Sequence, residues 1–191
     1  VMRADEPIEK SIKEKIALFC NVKPDCVIEN STVPVLYEAP IMLQNENLDE
    51  IVCRELKLET KPSDMSEWKR MLDNIERSER KVRIAMVGKY IQLHDAYLSV
   101  IEALKHAGWS QHSQIDIKWV DAELLSDESA DELLGDVSGI LVPGGFGTRG
   151  IEGKITAAKY AREHNVPYLG ICLGMQTAVI EFARDVLGYK D

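Results

Sequence analysis

The chain has 191 residues, is 45% apolar and 29% charged, and carries a formal net charge of −9. That is ordinary for a globular protein of about one domain and part of another, and the acidic balance argues against a general nucleic-acid or membrane-surface binder. No apolar run approaches the ~18–20 residues of a membrane-spanning helix, and VMRADEPIEK at the start has no apolar signal core, so the expected location is cytoplasmic.

Cysteines stand at 20, 26, 53 and 172 without a C-x-x-C pair, which fits free thiols better than a disulfide framework. His94, His106, His112 and His164 show no zinc-ligand spacing with them.

Residues 1–60 begin in what reads as the end of a strand. SIKEKIALFC carries Ile12, Ile16, Leu18 and Phe19 as a helical stripe, CVIEN is a short β-rich run, PVLYEAP is rich in turn signals, and NLDEIVCRELKL is helical. The region lacks continuous α/β alternation and is expected to be the tail of a domain whose core lies upstream. Residues 61–81 read as a linker with its own helix, capped by Asp64 with Glu67 three positions on. The boundary is expected near Lys81.

Residues 82–191 alternate strand and helix. VRIAMVG is a buried strand. Asp95 is the expected N-cap of AYLSVIEALKHAG, with Tyr97, Val100, Ile101 and Leu104 on one face and Gly108 as C-cap. IDIKWVD alternates with period two, and GILVP is a buried strand ending in the run GGFGTRG. KITAAKYAREHN is a helix closed by Asn165 and Pro167, and YLGIC is a further buried strand. MQTAVIEFARDVLG is a helix with Met175, Val179, Phe182, Ala183 and Val186 on its inner stripe and Gly188 as cap. Such alternation implies an α/β fold with a parallel sheet covered on both faces. Ligands of such sheets bind at the carboxyl ends of strands. Both Cys172 and the glycine run fall there.

Gly170-Ile171-Cys172-Leu173-Gly174 has the form of a nucleophile elbow, a tight strand-to-helix turn, with Cys in place of Ser. Glycines remove side chains that would clash in the turn. The following helix aims its N-terminus at the sulfur, where negative charge is favoured, and offers the Leu173 N–H to a developing oxyanion. The pattern points to acyl transfer through a thioester on Cys172. The plainer reading is a small core cysteine at a strand end, for which the elbow is only a turn. Gly145, Gly147 and Gly150 also match the dinucleotide fingerprint G-x-G-x-x-G, but Pro143 interrupts the approach and the next strand ends in Cys172, not in an acid. The other reading of the run is that Gly145 and its neighbours complete the oxyanion hole.

PGGFG followed by GICLGMQ resembles the class I, triad-type glutamine amidotransferases. Over a wider span, VMRADEP, KIALFCNV, LYEAP, VGKY, DAYLSVIEALKHAG, LVPGGFGTRGIEGKI and PYLGICLGMQ are similar to the CTP synthase family. The resemblance implies a flavodoxin-like glutaminase sheet over 82–191, incomplete at its C-terminus, preceded in 1–60 by the end of a P-loop-like amidoligase domain. It implies amination of UTP to CTP with ATP, the ammonia coming from glutamine hydrolysed at Cys172. Mg²⁺ would accompany ATP, GTP would activate, CTP would feed back, and the assembly would be a homotetramer. By resemblance, Gly145, Leu173, Gly174, Met175 and Gln176 contact glutamine, and Gly145 and Leu173 form the oxyanion hole. Arg3, Lys15, Ser31, Thr32 and Val33 lie at nucleotide sites, Arg149 lies on the lid linked to GTP, and no metal ligand falls in this chain. The family's His base and Glu orienter lie downstream of the cysteine, whereas all four histidines here precede it. The expectation is therefore no turnover by this chain alone, with an exposed sheet edge and poor solubility.

Overall fold

The computed structural model describes residues 1–91 and 93–189, with the side chain of His94 also left out. Asp191, and the zinc reading as it touches His94, fall outside the described residues. The chain divides into two compact units, Val1–Asp73 and Asn74–Asp191.

In the first unit, β1 (Met2–Ala4) and β2 (Glu29–Ser31) pair in parallel, with Arg3 opposite Asn30. The helix α1 (Lys10–Cys20) joins them, a β-α-β unit too short in its strands to be read from periodicity. Only Ala17 of α1 is buried; of the expected stripe, Leu18 and Phe19 face solvent, Phe19 88% exposed. PVLYEAP forms a 3-10 turn at Leu36–Glu38 and then opens α2 (Ala39–Asn45), where Pro40 sits in the first turn. Proline is tolerated there because that N–H has no helical partner. After α3 (Leu48–Glu55) comes α4 (Ser66–Glu76), within which the division between units falls. Asp64 accepts the N–H of Ser66 at 2.9 Å, and Trp68 Nε1 donates to the Tyr37 carbonyl at 2.7 Å.

The second unit is a parallel four-stranded sheet in the order β4-β3-β5-β6, made of β3 (Arg80–Gly88), β4 (Ser113–Asp121), β5 (Gly139–Val142) and β6 (Tyr168–Gly170). β3 and β4 pair over nine residues. The core joins Ala85, Val87, Val120, Leu134, Ile140, Val142, Ala157 and Ala161. The first two connections run to opposite sides of β3, so the crevice between the ends of β3 and β5 is the switch point where such sheets bind ligands.

Three expectations for this unit are corrected. Asp95 does not cap the helix, because a 3-10 turn (His94–Tyr97) precedes α5 (Leu98–Ser110) and Tyr97 takes the cap position. Gly108 is not the C-cap but lies inside α5, where a β-carbon would stand 2.7 Å from both Ile115 Cγ1 and the Ser113 carbonyl oxygen. Close packing of helix on strand, not chain reversal, requires glycine there; the left-handed residue is His112, at φ 50°.

The third concerns the last strand and helix. β6 is an edge strand, and Leu169 is 54% exposed, so YLGIC is not buried on both faces. On α8 (Leu173–Glu181), Met175 and Val179 are exposed, as are Phe182 and Val186 in the π-helical turn (Phe182–Val186) that follows. Gly174, Thr177 and Glu181 face inward instead. The cause is Gly174, which is pressed so near the Val142 carbonyl that it fixes the rotation of the helix. Residues three and seven positions on then share its face. Buried Glu181 is satisfied by Arg162 of α7 (Ile151–Glu163) at 2.7 and 2.9 Å.

Candidate active site at the cysteine elbow

Cys172 sits between β6 and α8 with φ 52° and ψ −106°. That is a strained conformation for a residue with a side chain, of the kind held only where surroundings over-determine it. Two glycines do so. A β-carbon on Gly170 would lie 2.5 Å from the backbone of Gly174 and Met175, and one on Gly174 would lie 2.0 Å from the Val142 carbonyl oxygen. Neither space exists, so the sequence G-x-C-x-G is a packing requirement. Ile171 N–H donates to the Val142 carbonyl at 2.9 Å and extends the β5–β6 pairing up to the turn. The first turn of α8 is pinned at the Gly174 carbonyl, which accepts the Tyr168 hydroxyl at 2.8 Å and the Thr177 hydroxyl at 2.9 Å. Burial pushes the Tyr168 hydroxyl above its usual pKa, which keeps it a donor. Tyr168 was not among the sequence candidates, since a tyrosine in a strand announces only β-propensity.

The cysteine is exposed at the N-terminus of α8. The Leu173 N–H has no helical acceptor, as for any first helical residue. The glycine loop approaches from β5: a β-carbon on Gly144 would stand 3.6 Å from Cys172 Cβ, and one on Gly145 would stand 3.8 Å from Leu173 Cδ2. Cys172, Gly145, Leu173 and Gly174 are thus brought together. Met175 and Gln176 follow on the exposed side of α8, and the Gln176 N–H is bonded to the Cys172 carbonyl.

Past Gly145 the loop turns through Gly147 and Gly150, both left-handed with φ 78° and 73°. Lys89, after β3, donates to the Phe146 carbonyl. Arg149 donates to the Lys89 carbonyl at 3.3 Å and pairs with Glu123. The run leads from β5 into α7 (Ile151–Glu163), with Gly150 at the cap position, and its first glycines stand beside the cysteine. Beneath it lies Lys154 of α7, only 1% exposed. Sequence reading missed this residue, although it falls on the helix face of Ala157, Ala158 and Ala161.

In the first unit, β1–β2 pairing gathers three of the nucleotide candidates. Arg3 donates to the Asn30 carbonyl at 3.2 Å and to the Thr32 hydroxyl at 2.8 Å, and the Ser31 hydroxyl donates to Glu29 at 3.1 Å. Val33 follows directly, whereas Lys15 is exposed on α1. Lys13, two positions earlier on α1, is the lysine engaged with Glu29, at 3.0 Å. Among the described residues no group of three His, Cys, Asp or Glu side chains comes together as a metal site, and no helix is long and apolar enough to cross a membrane.

Comparison with known proteins agrees with this geometry. The family profile Glutamine amidotransferase class-I matches residues 92–191, and CTP synthase N-terminus matches residues 1–58. The chain is 54% identical to the CTP synthase of Bacillus cytotoxicus, 55% to that of Lactococcus lactis subsp. lactis and 56% to that of Shouchella clausii, over 190 residues each. In each case the match covers 100% of this chain and 36% of the relative, so the chain spans about a third of their length. Among solved structures, Trypanosoma brucei CTPS, glutaminase domain with bound acivicin, is similar at 47% identity and TM-score 0.53, over 56% of this chain and 42% of that one. The elbow, the glycine loop and these matches together place the chain in the CTP synthase family, with a class-I glutamine amidotransferase fold in its second unit.

Proposed function

We propose that this chain carries the nucleophile of a glutamine-dependent CTP synthase, an enzyme that forms a C–N bond. The observation that carries the reading is Cys172: exposed, backbone-strained, and set between two glycines that admit no side chain. The Cys172 thiolate attacks the side-chain amide carbon of glutamine. A C–S bond forms, and the carbonyl oxygen takes the negative charge beside the N–H groups of Gly145 and Leu173. Collapse expels ammonia, which takes up a proton on leaving, and water then cleaves the thioester to glutamate. Gly174, Met175 and Gln176 line the glutamine side.

The resemblance puts the family's proton carrier, a histidine, downstream of the cysteine in sequence. His164 stacks on Tyr160 at 3.9 Å and His106 packs on Trp109. The ammonia aminates UTP in a step that uses ATP with Mg²⁺. That step is not assigned to these residues. Arg3, Lys15, Ser31, Thr32 and Val33 are proposed to border the nucleotide sites, and Arg149 to respond to GTP. CTP as feedback inhibitor, a homotetramer and a cytoplasmic location complete the proposal.

Acivicin tests it, since the similar Trypanosoma structure holds that compound. The expected result is modification of Cys172 at least about tenfold faster than Cys20, Cys26 or Cys53, found by peptide mass spectrometry. Equal labelling of all four would overturn it.

A further inference from the structure

The buried lysine under the glycine loop has no role in the scheme above. Lys154 lies in the first turn of α7, its backbone N–H bonded to the Gly150 carbonyl at 3.2 Å. Its side chain is almost wholly enclosed. A β-carbon on Gly145 would stand 3.6 Å from Lys154 Nζ and 3.9 Å from Lys89 Cε, so two lysines converge on one backbone position. Three things disfavour a cation there. Burial removes its hydration, Lys89 repels it, and together they hold the amine below its usual pKa, burial being the larger cause. The N-terminal turn of a helix is also the positive end of its dipole. No carboxylate among the described residues forms an ion pair with Lys154, and the charge that acts on it is that of Lys89.

A cation kept under those conditions is explained by an anion that arrives during function. We propose that Lys154 is a positioning residue for acyl transfer, a buried ammonium behind Gly145 that stabilises negative charge on the acyl oxygen when Cys172 attacks. It acts through the loop: it holds Gly145 toward the cysteine and sets a positive potential where the oxyanion forms. This rests on the reading of Cys172 as the nucleophile.

Two reagents separate the roles, using the chain of residues 1–191. Acylation by p-nitrophenyl acetate passes through an oxyanion: the thiolate adds to the carbonyl, and p-nitrophenolate leaves with the electron pair. Alkylation by iodoacetamide displaces iodide and forms no oxyanion. In Lys154→Met, acylation of Cys172 is expected to fall about tenfold while alkylation stays within about twofold. Lys154→Arg is expected to recover most of the acylation rate. Methionine fills a similar volume, and removing an unpaired buried charge does not weaken a fold; should that variant still not fold, Lys154→Gln is read by the same criteria. Unchanged acylation, or both rates falling together, overturns the proposal. If wild-type Cys172 outpaces the other cysteines with neither reagent, the nucleophile reading fails, an outcome distinct from unchanged acylation in Lys154→Met.

Discussion

Both units are built from parallel strands joined through helices, yet they cohere differently. The second pairs β3 with β4 over nine residues and encloses a continuous apolar cluster. The first pairs three residues with three, leaves Leu18, Phe19 and Leu36 in solvent, and ties its strands with charged side chains around Glu29. The contrast carries over to their candidate sites. In the second unit the site is made by backbone pressed against backbone, which only glycine allows, and it converges. In the first it is made by long side chains, Arg3 reaching Thr32 at 2.8 Å.

The sharpest way to break this contrast is Gly174→Ala. The new methyl would sit 2.0 Å from the Val142 carbonyl oxygen, and both atoms belong to rigid backbone. A cost of about 3 kcal/mol or more in the second unit is expected, at the upper end for overpacking. Preferential alkylation of Cys172 should disappear with it. Thermal unfolding of the variant unchanged from wild type would show that the elbow is not held by close packing.

Next in size is a pair of truncations. Leu134 is buried in the second unit's core and Phe19 is exposed in the first. Leu134→Ala should cost about 2–5 kcal/mol, as removal of a buried leucine does. Phe19→Ala should stay within about 0.5 kcal/mol, the range for surface changes. Denaturant titration of both variants checks this, and a large loss from Phe19→Ala would mean that the phenyl ring is covered in solution. Smaller still is Tyr168→Phe. It removes the hydroxyl donated to the Gly174 carbonyl while Thr177 remains, so about 1 kcal/mol is expected.

These residues also show what could be read from sequence. The elbow was legible because its two glycines and cysteine lie within five positions, and local backbone geometry is written locally. The parallel α/β alternation of 82–191 was legible for the same reason. The rotation of α8 was not. Met175, Val179 and Phe182 form a good apolar stripe, but Gly174 against Val142 selects another face, and that contact spans 32 positions of chain. Gly108 was misread because glycine at a helix end and glycine under a close strand look alike until the strand is placed. Lys154 was passed over because a lysine is taken for surface by default, although its neighbours at 157, 158 and 161 are alanines on the buried side.

The charged cohesion of the first unit makes a prediction about pH. Hydrogen bonding from Lys13 holds the Glu29 carboxyl below its usual 4.5, aided by the Ile8 N–H and Ser31. Hydrogen bonding to Glu29 in turn raises Lys13 above 10.5, with Glu46 adding to it. A depressed acid stabilises above its unfolded pKa and loses that contribution as pH falls through its folded value. A raised base stabilises below its unfolded pKa and loses it as pH rises through the folded one. The two define a plateau between about pH 4.5 and 10.5, with losses on both sides. Lys13→Met should flatten both limbs for the first unit, while the second unit, which does not contain Lys13 or Glu29, keeps its own pH dependence. Tryptophan fluorescence distinguishes them, because Trp68 lies in the first unit and Trp109 and Trp119 in the second. If the Trp68 signal of Lys13→Met keeps both limbs, the strands of the first unit are held by something other than this pair.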